Sequence, residues 1–341
     1  MRRVAVLAVV FVVVCVLPAV AQVRRGQLLP AGENGLVDLD SPALAREIAA
    51  MRAEIKANGW TFTVGVNPAM RYTLDQLCGR REELLPPEAL DRGPAIQSVT
   101  AMARKPAPTP TATPTPAPGL DPYYIGIFTP PKDQGGCGSC WAFGTIDEAE
   151  TAVLKSQHAP VGKVNTDGTV TASASTPDMS EQYVLSCNDL GYSCAGGNNA
   201  LAMLVGEPGS MDEDCFPYQA ADLACSYCAD PTRWKLSGWA YLISDTKIPT
   251  VAAIKQAILT YGAVTAYVYV DRTFQAYTGG VYNNTKTYRY TNHQIQLVGW
   301  DDSKSAWLLK NSWGTGWGID GYMWITYTSC RVGEGAAWAT Y

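Results

Sequence analysis

The sequence has 341 residues, 47% of them hydrophobic and 17% charged, which is enough apolar material for one or two packed domains and excludes disordered and fibrous chains. Its net charge of −5 is unevenly spread: residues 1–119 carry 13 basic against 10 acidic side chains, and residues 120–341 carry 13 against 21, leaving −8. An acidic surface repels phosphate backbones, so nucleic acid is not expected as a partner.

At the N-terminus Arg2 and Arg3 precede an apolar run from Val4 to Leu17 and then Pro18-Ala19-Val20-Ala21. This is the charge, length and small-residue pattern of a secretory signal peptide, residues 1–21, cut after Ala21. The run is shorter than the roughly 20 residues a spanning helix needs, and no later stretch is longer, so no membrane association is expected once the signal is gone. The expected location is secreted: extracellular, periplasmic or lysosome-like. Export places the nine cysteines other than Cys15 where disulfides persist. Eight of them follow residue 119; if one stays a free thiol, the remaining seven cannot all pair within that segment.

Residues 22–105 open with a predicted helix. Ser41 and Pro42 suit the N-cap and first turn, and Leu44, Ile48, Met51 and Ile55 repeat at helical spacing until Gly59. Trp60, Phe62 and Val64 then alternate as in a short strand. Alone this is too small for a substantial core, so it is expected to dock on a larger body. Residues 106–119 repeat Pro and Thr and read as an extended linker.

Within residues 120–341 a helix is predicted from Cys140 towards Leu154, with Ala142, Ile146, Ala149 and Val153 on one face and Asp147, Glu148 and Glu150 on the others. After residue 236 the texture becomes β: Ala263 to Val270, Ile295 to Trp300, Trp307 to Lys310 and Tyr322 to Tyr327 are β-branched or aromatic runs broken by Gly, Asn and Asp. A helical half followed by a β half predicts an α+β protein of two lobes with a cleft between them, the helical lobe over about 130–235 and the β lobe over about 236–330.

The chemistry centres on Gln134-Gly135-Gly136-Cys137-Gly138-Ser139-Cys140-Trp141-Ala142-Phe143. A thiol of ordinary pKa is only about 3% thiolate at pH 7, so a cysteine nucleophile needs a helix N-terminus or a cationic neighbour. Cys140 has the first by its predicted position, and an imidazolium would supply the second. Only two histidines exist. His158 falls near the far end of the predicted helix and reads as a surface residue, which leaves His293, in strand-forming sequence of the other half, as the base.

That string resembles the active-site motif of the papain-like cysteine peptidase family. Asp121, Gly126, Thr129, Pro130, Lys132 and Asp133 match the start of the mature family enzyme, with Pro122 where a tryptophan is customary. Ser180-Glu181-Gln182, Cys187 and Cys194-Ala195-Gly196-Gly197 are similar to its next landmarks. Asn292-His293, Leu297 to Trp300 and Asn311-Ser312-Trp313-Gly314 are similar to its histidine and asparagine motifs. The resemblance implies a helical left lobe, a β-barrel-like right lobe and a secreted endopeptidase forming a thioester acyl-enzyme. Cys140 would be nucleophile, His293 acid and base, Asn311 the group that orients His293, and Gln134 an oxyanion donor. Trp313 would shield the His293–Asn311 bond, and Gly196, Gly197, Asn198, Asn292 and Trp313 would meet the substrate. It also implies the pairs Cys137–Cys194 and Cys187–Cys225. Cys215 with Cys228 is a guess from proximity in sequence, and Cys330 is left over.

Gln294 stands where the family has alanine, Asn198 and Asn199 stand near the subsite for the substrate's second residue where apolar side chains are usual, and residues 158–177 form a Ser/Thr/Ala-rich insertion read as a surface loop or hairpin. Upstream, Asn58 to Asn67 and Leu77-Cys78-Gly79 resemble the short propeptide of cathepsin B relatives, so residues 22–105 would block the cleft until the linker is cut. Between Gly197 and Pro217 there is no histidine-bearing loop of the kind that makes a dipeptidase, which favours internal cleavage. The expected partners are polypeptide substrates and the chain's own propeptide, acting on a monomer without metal or organic cofactor. The rival readings are a thiol–disulfide oxidoreductase using Cys137 and Cys140, a zinc site of Cys137/Cys140 with Cys225/Cys228, and a non-catalytic secreted binding protein on a peptidase scaffold.

Overall fold

The computed structural model describes residues 36–81 and 120–341. The predicted signal peptide 1–21 and linker 106–119 lie outside the described residues, as do residues 22–35 and 82–105 of the upstream segment.

The upstream segment folds from local signals first. Helix α1 (Pro42–Asn58) starts where Ser41 Oγ accepts the Leu44 N–H at 3.3 Å and stops at Gly59, whose φ of 66° the absence of a Cβ permits. Its buried residues are Leu44, Ile48, Met51 and Ile55. Strand β1 (Thr63–Val64) follows, and helix α2 (Leu74–Leu77) begins with a reciprocal Thr73/Gln76 capping box.

The larger segment contributes β2 (Tyr123–Ile125), helix α3 (Cys140–Ser156), β3 (Lys163–Val164) and β4 (Val170–Thr171), then helices α4 (Glu181–Ser186) and α5 (Leu201–Val205). Strands β5 (Ser210–Met211), β6 (Arg233–Trp234) and β7 (Gly238–Tyr241) lead to helix α6 (Val251–Tyr261) and β8 (Val264–Val268). Helix α7 (Arg272–Gln275), β9 (Tyr277–Gly279) and β10 (Val281–Tyr282) precede the long strands β11 (His293–Asp301), β12 (Ala306–Lys310), β13 (Tyr322–Thr326) and β14 (Glu334–Thr340).

The sheet of the β lobe runs β10-β13-β12-β11-β8-β14-β7, with β2 added beside β11. It is open, since this path does not return from β7 to β10. The lobe boundaries differ from those predicted. The sheet takes in Tyr123–Ile125, paired with Gly299 to Asp301, and continues through β14 to Thr340 rather than ending near 330. The half read as β also holds the eleven-residue helix α6, whose apolar residues Ile254, Ala257 and Ile258 are buried. The insertion at 158–177 contains the small β3–β4 hairpin, and His158 is exposed.

Helix α3 corrects a second expectation. It is buried on every side from Cys140 to Leu154, including Asp147, Glu148 and Glu150. Buried carboxylates need partners, and the long-range fold provides them. Lys310 Nζ lies 2.7 Å from Asp147, Lys132 Nζ 3.2 Å from Glu150, and Glu148 accepts from Gln296 Nε2 at 3.2 Å and from the Ala339 N–H at 3.2 Å. Burial raises the Glu148 carboxyl to about 8.

The upstream segment docks on the β lobe, and its apolar residues join one cluster with that lobe's core, from Leu44, Trp60 and Phe62 through Phe274 and Trp317 to Ile325. β1 pairs antiparallel with β9, Arg272 grips Glu47 through Nε and Nη2 at 2.7 Å each, and Asn67 Nδ2 donates to the Gln275 carbonyl at 2.9 Å.

Candidate active site

Each lobe presents one half of the site. Ser139 precedes α3 without making a side-chain cap, so Cys140 occupies the first helical position with its sulfur near the positive end of a 17-residue helix. Across from it, His293 is the first residue of β11, held in register opposite Val268 of β8. The backbone N–H of the next residue, Gln294, is among the groups that stabilise charge on the Cys140 sulfur, so the start of β11 meets the start of α3.

His293 Nε2 lies 2.8 Å from Asn311 Oδ1, and the Ser312 N–H donates to that same oxygen at 2.9 Å. The second bond fixes which amide atom is oxygen. An oxygen there can only accept, so Nε2 carries a proton and, in the neutral ring, Nδ1 is the basic nitrogen. Trp313 covers this pair, its ring centroid 4.9 Å from that of His293, and is itself backed by Trp317 at 5.2 Å. Gln134 is fully buried. Its Oε1 accepts from Ser312 Oγ at 2.7 Å, which turns Nε2 outward to donate to the Leu77 carbonyl at 2.9 Å and the Cys137 carbonyl at 2.7 Å.

The upstream segment lies directly on these groups. Leu77 offers its carbonyl to Gln134 Nε2, and the Gly79 N–H donates to Cys140 Sγ at 3.3 Å. Arg80 then pairs parallel with Gly197; the Gly197 N–H donates to the Gly79 carbonyl at 2.8 Å and the Arg81 N–H to the Gly197 carbonyl at 2.9 Å. A backbone is thus threaded through the cleft along Gly196–Gly197. Cys78 is a buried free thiol, close enough to Cys140 for a charge on the Cys140 sulfur to raise its pKa further above the value burial gives it.

Burial dominates the protonation of both groups. Burial pushes the Cys140 thiol above its ordinary pKa, opposed by the N–H groups of Gln294, Gly79, Arg80 and Trp141. Burial likewise holds His293 down to about 4, against the Asn311 amide and the Leu77 carbonyl, which favour the imidazolium. Both shifts favour the neutral thiol and the neutral imidazole at pH 7 in the covered site.

Asn198 is buried, with its Oδ1 accepting the Tyr267 hydroxyl at 2.5 Å. Asn292 turns its side chain to the Val270 backbone, at 2.7 and 3.0 Å, and shows the cleft its carbonyl, which accepts the Arg80 N–H at 3.1 Å. Gln294 does not line the cleft: its Nε2 donates to Thr265 Oγ1 at 2.9 Å and its side chain packs on Gly144 of α3. Disulfides join Cys137 to Cys194, Cys187 to Cys225 and Cys215 to Cys228, while Cys78, Cys140 and Cys330 are free. Among the described residues no cluster of three or more His, Cys, Asp or Glu is arranged to hold a metal.

Sequence reasoning missed Tyr218, whose hydroxyl is 2.6 Å from Ser139 Oγ and donates to the Gln134 carbonyl at 2.8 Å, tying its own loop to the one before α3. No local pattern marks a tyrosine so far downstream of Cys140 as part of this site. Ser312 was readable as part of a motif, but its grip on Gln134 was not.

The chain belongs to the papain family of cysteine proteases, whose family model matches residues 124–340. Among curated relatives, the gamete and mating-type specific protein A of Dictyostelium discoideum is 37% identical over 200 residues, covering 58% of this chain and 40% of the relative. Pro-cathepsin H of Bos taurus is 31% identical and cathepsin K of Mus musculus 32%, each covering 58% of this chain and 56% of the relative. The matched part thus spans about half the length of these relatives. Digestive procathepsin L2 from the larval midgut of Tenebrio molitor superposes with a TM-score of 0.66 at 25% identity, over 88% of this chain and 90% of that one. Bromelain from Ananas comosus, in complex with the E64 inhibitor, gives 0.52 at 25% identity over 65% and 99%.

Proposed function

We propose that this chain is the exported precursor of a cysteine endopeptidase, with signal peptide 1–21, inhibitory propeptide 22–105, linker 106–119 and peptidase domain 120–341. The observation that carries this reading is the stretch Leu77–Gly79, a peptide of the chain's own sequence bonded at once to Gln134 Nε2 and Cys140 Sγ. In the uncovered enzyme the Cys140 thiolate attacks a substrate carbonyl carbon. The developing oxyanion takes hydrogen bonds from Gln134 Nε2 and the Cys140 N–H. The C–N bond breaks as His293 protonates the leaving amine, which leaves a thioester; water, deprotonated by His293, then releases the acid and restores the thiol. Asn311 keeps Nε2 protonated throughout.

Two observations weigh against the rivals. Cys137 is committed to Cys194, so it is not the dithiol partner of Cys140 that an oxidoreductase requires, and Cys225 and Cys228 are in separate disulfides rather than a zinc site. A binding protein has no need of the buried Nε2–Asn311 bond. The similarity to procathepsin H and procathepsin L2 supports the precursor organisation, and three disulfides agree with an exporting pathway. Removing residues 22–119 from the purified precursor should raise hydrolysis of a fluorogenic peptide and labelling of Cys140 by a thiol-reactive peptidyl inhibitor. Equal activity before and after would defeat the proposal.

The His293 environment also sets a pH dependence. Burial in the docked chain holds its pKa at about 4, below the ordinary 6.5, although the docked Leu77 carbonyl itself favours the imidazolium. The undocked state therefore binds more protons between these values, so docking is strongest above pH 6.5 and weakens as pH falls towards 4, by up to about 3 kcal/mol. Pairing with a Cys140 thiolate in the undocked state would shift it in the same direction. Labelling of Cys140 in the uncut precursor, divided by labelling in the enzyme freed of residues 22–119, should climb between pH 7 and pH 4.5. A flat ratio would exclude His293 as the sensor.

A further inference from the structure

The cleft takes in one whole arginine side chain. Arg80 belongs to the docked upstream segment, not to the enzyme body, yet it is only 2% exposed, and arginine is buried to this extent only where its charge is matched. Its guanidinium carbon sits 4.6 Å from the centroid of the Tyr267 ring, and Nη1 donates to the Thr291 carbonyl at 3.5 Å. The Tyr267 hydroxyl in turn is oriented by Asn198 Oδ1 at 2.5 Å and lies 3.4 Å from the Tyr241 hydroxyl.

A buried acid lies close by. Asp245 is 1% exposed, and its carboxylate and the Arg80 guanidinium act with opposite sign on the same two hydroxyls, Tyr241 and Tyr267. Gly335 lies between the Tyr267 ring and the Asp245 backbone: a Cβ there would come within 2.3 Å of the ring and 2.7 Å of the Asp245 carbonyl oxygen, so the two approach each other across a position with no side chain. Glu334, the neighbouring buried carboxylate, pairs with Arg331 and accepts from Thr291 Oγ1.

We propose that this pocket, walled by Asn198, Tyr241, Asp245 and Tyr267, selects a positively charged side chain, arginine above all, in the polypeptide substrate that replaces the upstream segment. An aromatic face, a carboxylate and a backbone carbonyl together satisfy a planar guanidinium. A leucine in the same place would leave the Asp245 carboxylate facing hydrocarbon, which is costly. The inference rests on the proposed peptidase reading and names its substrate class: chains with arginine at the residue that enters beside Gly197, the second before the cut bond. It also gives the polar residue Asn198 a reason, because the pocket is not built for an apolar side chain.

The test uses the enzyme freed of residues 22–119 and fluorogenic peptides that differ only at that second residue. Arginine should exceed leucine in kcat/KM by about tenfold or more, with lysine between, and Asp245→Asn should bring the arginine-to-leucine ratio close to one. A parent enzyme that prefers leucine or phenylalanine overturns the proposal. If no peptide is cleaved, the peptidase reading has failed, and the pocket is judged in the uncut chain by Tm. There Arg80→Leu and Asp245→Asn together should lower Tm by less than the sum of the single losses, whereas additive losses would show that the two side chains are not coupled and would overturn the pocket as well.

Discussion

Replacing His293 by alanine in the enzyme freed of residues 22–119 should lower kcat/KM on a peptide substrate by about 10⁴-fold or more, with most of the loss in kcat. The expectation follows from the single-base geometry. Asn311 Oδ1 and the Ser312 N–H leave His293 one basic nitrogen, and the other histidine of the chain, His158, is exposed at the far end of α3. Without the imidazole, Cys140 keeps only the helix terminus and backbone N–H groups to stabilise its thiolate, and the leaving amine has no proton donor. Circular dichroism and Tm of the variant separate lost chemistry from lost folding. Retention of a tenth of the parental kcat by a folded His293→Ala enzyme would remove His293 from the mechanism.

Alanine at Gly79 should do the opposite to the uncut precursor. A Cβ at this position would lie 1.6 Å from the Gly138 carbonyl oxygen and 2.3 Å from its carbon, both backbone atoms of the loop leading into α3. Neither strand can yield without breaking bonds: Gly79 is held by Cys140 Sγ and the Gly197 N–H, and Gly138 donates to the Cys194 carbonyl beside the Cys137–Cys194 disulfide. The upstream segment must therefore lift from the cleft between Leu77 and Arg81, while α1 and β1 stay anchored through Glu47–Arg272 and the β9 pairing. Labelling of Cys140 by a thiol-reactive peptidyl inhibitor should accelerate by about 10²-fold, equivalent to roughly 2.7 kcal/mol of lost docking. A Gly79→Ala precursor as unreactive as the parent would show that this stretch does not block the thiol. The enzyme freed of residues 22–119 serves as the upper limit of the rate.

Local order was open to reading wherever neighbours in sequence decide it. Ser41, Gly59 and the spacing of Leu44 to Ile55 delimit α1 because a cap and an apolar stripe are properties of one helix. The long strands β8 and β11 to β13 were legible from their β-branched and aromatic runs, within a few residues at each end. By contrast, Asp147, Glu148 and Glu150 read as outward-facing charge, since the cations and amides that make their burial tolerable, Lys310, Gln296 and Lys132, lie elsewhere in the chain. β2 and the last strand β14 were missed as parts of the β lobe because three- and seven-residue segments acquire their identity only by pairing with β11, β7 and β8.

The site divides along the same line. Sequence alone singled out Cys140, His293, Asn311 and Gln134 as the candidates for the chemistry, because nucleophile, base, orienting amide and donor are read from residue type within recognisable strings. It also determined that a segment before residue 106 had too little core to stand alone. Only the tertiary structure decided that Leu77–Gly79 lies on the thiol, that burial favours the neutral cysteine and histidine in the covered site, that Tyr218 and Ser312 hold the loops, and that Arg80 enters a pocket with Tyr267 and Asp245. Those outcomes depend on desolvation and on contacts between groups far apart along the chain. Both are properties of the packed chain that no window of sequence contains.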